Sequence, residues 1–91
     1  MNSQIHDIRN KIDHIDDAIF DLLKKRIFLA KELVKIKNQE KKEIFDPKRE
    51  EAILNRLTKK IPQDIVKKEK IIYLWKNIIE ICRDIQENNS K

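Results

Sequence analysis

Glycine is absent from this 91-residue chain, proline occurs twice and cysteine once. Without glycine, tight turns, bulges and two-residue hairpins lose their usual residue, which argues against a β-rich fold and leaves helices as the remaining option. The lone cysteine, Cys82, has no intrachain partner. No disulfide therefore offsets the modest core available to a chain of this size, and a single free thiol fits a reducing compartment. Long apolar runs are also missing. Met1-Asn2-Ser3-Gln4 leads straight into alternating charged and apolar residues, with no leader-like segment and nothing long enough to span a bilayer. A cytoplasmic location without a membrane partner is expected.

What is abundant is charge. Asp, Glu, Lys and Arg make up 41% of the residues, with a formal balance of +5. The lysines are spread through helical patterns and interleaved with acids, as on a solvated helix surface. The same balance also suits a basic surface or pocket for anions, either nucleic acid or a small carboxylated or phosphorylated metabolite. Composition does not choose between them.

Apolar residues at Ile5, Ile8, Ile12, Ile15, Ile19, Leu22, Leu29, Leu33 and Ile36 alternate three-four spacings, interrupted at position 26. This is a sustained helical seam, widened by Ala18, Leu23, Ala30 and Val34. A first helix is expected over about residues 4–41, on the order of 55 Å long. Asp46-Pro47 starts a second, with Asp46 as N-cap and Pro47 in the first helical position. It is expected over about 47–60, with Ile53, Leu54 and Leu57 on its apolar face and Lys59 and Lys60 before Pro62. From Ile65 and Val66 through Ile72, Trp75, Ile79 and Cys82 the helical spacing returns, predicting a third helix over about 64–86 and a frayed polar tail over 87–91. One all-α domain of three helices over 1–91 is expected.

Helices 2 and 3 reach roughly 20 Å and 35 Å along their axes and cover the first helix poorly. An antiparallel copy of that helix would cover the seam for its full length, so an intertwined homodimeric bundle is expected.

Polar residues interrupt the apolar faces. Arg26 occupies a seam position otherwise held by Ile or Leu, and burying a guanidinium there requires either a partner carboxylate or an anionic ligand. Lys37, eleven residues on, returns to within about 20° of the same face. Arg9, seventeen residues before Arg26, lies about 25 Å away along the axis and reaches the same small molecule only from another subunit. Gln86 continues the line of Trp75, Ile79 and Cys82, while Asp46, Arg49 and Glu50 cluster in one turn, where capping and surface ion pairs are the plainer reading. His6 and His14 sit among polar neighbours as surface residues. Trp75 and Tyr73 read as core and helix surface.

Together these positions resemble the all-helical chorismate mutases, through Ile8-Arg9-x-x-Ile12-Asp13-x-Ile15-Asp16, Leu22-Leu23-x-x-Arg26, Lys37, Asp46-Pro47-x-Arg49-Glu50, Cys82 and Gln86. The resemblance spans nearly the whole chain without a gap. It implies a monofunctional enzyme, an isomerase that converts chorismate to prephenate by an intramolecular Claisen rearrangement, as an intertwined dimer with two active sites and no cofactor or metal. Each site would take Arg9 from the opposite subunit. Arg26 would bind a substrate carboxylate, Lys37 would reach a carboxylate and the ether oxygen, and Gln86 would donate to that oxygen. Glu50 would accept from the ring hydroxyl, with Asp46 and Arg49 completing the site. Cys82 stands where a serine often contacts a carboxylate, and a thiol is a weaker donor.

Because the rearrangement needs no protonation or nucleophile, the lack of a Ser-His-Asp set, metal cluster or phosphate loop is consistent with it. Two rival readings stay open. An isochorismate-pyruvate lyase resembles the mutases in fold and site, and a non-enzymatic basic dimer would bind nucleic acid along a continuous cationic stripe. The placement of Arg9, Arg26 and Lys37 on or beside the seam favours a small anion, with no nucleic-acid partner. Since Gln86 is neutral at every relevant pH, activity should persist across neutral pH. A steep loss of turnover between about pH 5 and 7 would contradict a role for that amide.

Overall fold

The computed structural model describes residues 3–40, 43, 45–62 and 64–89, with the last three described by backbone alone. Among these residues the order is α1 (Ser3–Glu40), α2 (Pro47–Thr58) and α3 (Lys68–Asn89), with no strand. The all-α expectation holds.

At 38 residues, α1 alone sets the length of the molecule, which measures 60 × 25 × 15 Å. Nothing in its sequence interrupts it, and Lys37 in the last turn faces the negative end of the helix dipole. Its expected end at position 41 lies outside the described residues.

Asp46 caps α2 as expected. Its carboxylate accepts from the Arg49 backbone N–H at 3.0 Å, its carbonyl accepts from Glu50 N–H at 3.1 Å, and Pro47 occupies the first turn. The α-helix stops at Thr58, short of the expected 60. Lys60 N–H bonds to the Leu57 carbonyl at 3.0 Å and Ile61 N–H to the Thr58 carbonyl at 3.4 Å. This tightening to i→i+3 bonds unwinds the last turn ahead of Pro62, whose ring disfavours helical backbone in the residue before it.

The third helix starts later than the expected residue 64. Pro62's carbonyl accepts from both Ile65 N–H (2.9 Å) and Val66 N–H (3.0 Å), closing a separate turn before α3 begins at Lys68. Ile65 therefore leaves the apolar face and is 77% exposed. At the other end the helix continues through Asn89, beyond the expected stop at 86. The polar segment 87–89 is thus helical, and the remainder of the expected tail, 90–91, lies outside the described residues.

Helix α3 contacts both α1 and α2, which do not otherwise meet. The core lies at this junction and is small: Ala30 and Val34 from α1, Ile53 from α2, and Ile79 and Cys82 from α3. Every residue from 3 to 22 on α1 is exposed. The Ile5 to Leu22 part of the seam, from Ile5 through Ile8, Ile12, Ile15 and Ile19, is 49–63% exposed. No helix of the described residues is long and apolar enough to cross a membrane.

With so few buried side chains, each should matter. Ile79→Ala is expected to lower the unfolding free energy by about 2–4 kcal/mol, measured by urea denaturation at fixed protein concentration. A loss below about 1 kcal/mol would mean that this junction is not the structural core.

Candidate active site

The junction that holds the core also holds a cavity of about 250 Å³. From α1 come Arg26, Leu29, Ala30, Leu33 and Lys37, spaced so that the helical period brings them onto one face. The N-cap and first turn of α2 supply Asp46, Arg49 and Glu50, with Ile53 one turn further on, and α3 supplies Ile79 and Cys82. Buried Ala30, Ile53 and Ile79 make an apolar floor beneath polar walls. Leu29 and Leu33 wall the cavity while remaining 64% and 43% exposed, so on that side the described residues leave it uncovered.

Arg26 is half-buried, and its Nη1 donates to Cys82 Sγ at 2.8 Å across the α1–α3 junction. Sulfur is a weak acceptor, and the other guanidinium N–H groups are not engaged by that bond. Arg26 is in neither of the ion pairs Lys24–Asp21 and Arg83–Glu50. Asp46 is committed to capping, which fixes the start of α2 and thereby the direction of Arg49 and Glu50. Glu50 Oε2 accepts from Arg83 Nη1 at 3.3 Å, and the Arg83 guanidinium lies over the Phe45 ring at 4.9 Å from its centre. Three cations, Arg26, Lys37 and Arg49, line the cavity against two carboxylates, Asp46 and Glu50. One of those acids serves as a cap and the other is paired with Arg83. Positive side chains thus outnumber negative ones on these walls, above an apolar floor, an arrangement that suits an anion.

The structure thus brings together Arg26, Lys37, Asp46, Arg49, Glu50 and Cys82, drawn from all three helices. Gln86 is buried, 8% exposed, one turn beyond Cys82, but it does not line this cavity. Arg9 is exposed near the opposite end of α1, about 25 Å from Arg26 at helical rise. Sequence reasoning missed Arg83. It follows Cys82 directly and reads as one more surface cation, and no local spacing connects it with Glu50, 33 positions earlier.

A family model described as chorismate mutase type II matches residues 8–87. The chain is 36% identical over 87 residues to a protein of Methanocaldococcus jannaschii named chorismate mutase, an alignment covering 96% of this chain and 88% of that protein. It is 30% identical over 87 residues to a bifunctional chorismate mutase/prephenate dehydratase of Aquifex aeolicus, covering 92% of this chain but spanning only 24% of the relative's length. No solved structure matches. The matched segment runs from the residue before Arg9 to the residue after Gln86 and includes every wall of the cavity. The chain belongs to the chorismate mutase type II family.

Proposed function

We propose that the chain converts chorismate to prephenate, a step toward phenylalanine and tyrosine, in two sites each completed by a second copy of itself. The observation that carries this reading is the convergence of Arg26, Lys37 and Arg49 over the apolar floor of one cavity, with Glu50 on the same wall. Chorismate is a flexible dianion. Cations set apart on rigid helices can clamp its two carboxylates so that the enolpyruvyl chain folds over the ring, close to the geometry in which the C–O ether bond breaks as the C–C bond forms.

A further cation would strengthen the hold on a dianion, and Arg9 is the natural source. In an antiparallel dimer the first half of one α1 lies beside the second half of the other. Its arginine would then stand over the partner's cavity, on the side that Leu29 and Leu33 leave uncovered. The size of the unpartnered surface supports such a pairing. The accessible area is 8016 Å², whereas a compact monomer of this mass exposes about 5,600 Å². The radius of gyration is 17.0 Å against about 12 Å for a compact chain of this length. An excess of roughly 2,400 Å² per chain is the scale of an obligate homodimer interface.

In the assembled site Arg9 and Arg26 hold carboxylates, and Glu50 accepts from the ring hydroxyl. Lys37 and Gln86 donate to the ether oxygen as negative charge grows on it. Preorganised donors of this kind contribute on the order of 3 kcal/mol each to the transition state. Gln86 is buried at the next turn from Cys82, and it would reach the substrate once the second subunit encloses the site. Arg26 and Lys37 are half-buried rather than part of an exposed cationic stripe, which favours a small anion over nucleic acid. The free thiol of Cys82 fits the reducing cytoplasm as the place of action.

The test is to incubate the purified protein separately with chorismate and isochorismate. Prephenate from the first is expected; salicylate and pyruvate from the second, without prephenate, would make the protein a lyase instead. Gln86→Ala should lower kcat on the order of a hundredfold with little change in KM. A rise in KM alone would remove Gln86 from the transition state.

A further inference from the structure

Behind Glu50, on the side away from the first cavity, lies a second one of about 220 Å³. Glu50, Lys76, Glu80 and Arg83 are its charged walls, with Leu54 and Ile79 between them. Glu50 and Ile79 border both cavities, so Glu50 forms part of the partition between them. Cys82 and Arg83 are successive residues on α3, about 100° apart around its axis. Cys82 faces the first cavity and Arg83 the second.

We propose that Arg83 is a positioning residue: standing outside the substrate cavity, it fixes the Glu50 carboxylate in the orientation that receives the substrate's ring hydroxyl. This rests on the chorismate reading above. The pair engages Oε2 at 3.3 Å, leaving Oε1 as the oxygen for the substrate. Both side chains are well shielded, 30% exposed for Arg83 and 25% for Glu50, so solvent and salt screen the pair less than they would a surface contact. Arg83 is itself held, because its guanidinium rests on the Phe45 ring at 4.9 Å. Phe45 immediately precedes the Asp46 cap. One side chain on α3 thus fixes both the approach to α2 and the carboxylate in the first turn of α2. A long Glu side chain has several rotamers to lose on binding, and the pair removes that freedom beforehand. Lys76 is the other cation lining this second cavity. Glu50 Oε2 nonetheless accepts from Arg83.

Steady-state kinetics with chorismate on the wild type, Arg83→Gln, Arg83→Lys, Glu50→Gln and the double variant Glu50→Gln/Arg83→Gln tests this, with thermal melts run alongside. Arg83→Gln should lower kcat/KM about tenfold, mainly through KM, because the hydroxyl contact is made in ground and transition states alike. Arg83→Lys, which keeps the charge, should recover most of that loss. In the Glu50→Gln background Arg83→Gln should cost less than about twofold, since the group it positions is already altered. Equal losses in both backgrounds would overturn the proposal, as would unchanged kinetics of Arg83→Gln. So would failure of Arg83→Gln to fold, which would make the pair a structural clasp. A wild type that forms no prephenate removes the chorismate reading and this inference together. An active wild type with an indifferent Arg83 removes this inference alone.

Discussion

An apolar stripe runs the length of α1, and the rest of the chain covers only one end of it. Ala30 and Val34 are buried where α3 crosses, whereas residues 3–22 are all exposed. Twenty residues of helix, about 30 Å, stand clear of the other two helices. A lone helix bearing one isoleucine per turn is a poor structure in water, since most helical stability in proteins comes from packing such a face. This shortage of cover shapes the rest of the molecule: its elongation, the small core, and a cavity whose leucine side is open.

The same junction that supplies the core supplies the chemistry. Where α3 bridges α1 and α2, apolar residues close the floor and polar ones interrupt the pattern above it. Arg26 shows how this is tolerated energetically. A guanidinium on a helix seam would be costly if sealed in an apolar interior, but here it borders a cavity and donates to the Cys82 sulfur, keeping the rest of its hydrogen-bonding capacity. The Asp46 cap performs a parallel service for α2. By fixing the first turn it aims Arg49 and Glu50 into the cavity, so a local folding signal also sets the site geometry.

Much of this could be read from the residues in order. The three-four spacing of α1 and the Asp46-Pro47 start of α2 are local signals written in side-chain chemistry, and both appear in the structure. The anomaly of Arg26 on the seam and the return of Lys37 to its face follow from helical geometry alone, and both residues line the cavity. What escaped were features decided by hydrogen-bond choice or by distant partners. Ile65 and Val66 extend the apolar spacing of α3, but Pro62's carbonyl captures both of their amides, a competition that periodicity does not register. Polar residues 87–89 looked like an end because amphipathic patterning stops there, although the backbone of α3 continues its hydrogen bonding through them. Arg83 meets Glu50 across 33 positions, and only the packing of α3 on α2 reveals it. Gln86 lies between these cases: its place on the Cys82 line was legible in the spacing, whereas its burial off the wall of the first cavity was not.

If the uncovered half of α1 is covered by a second copy, as proposed above, folding and catalysis would share one requirement, because Arg9 on that half would complete the other copy's site. The direct measurement is complementation between Arg9→Ala and Arg26→Ala proteins, each expected to be nearly inactive alone. After subunit exchange at equal mixing, half the dimers are mixed and each mixed dimer carries one intact site, so about a quarter of the wild-type chorismate turnover should return. No recovery, with exchange of subunits demonstrated independently, would contradict a site shared between two chains.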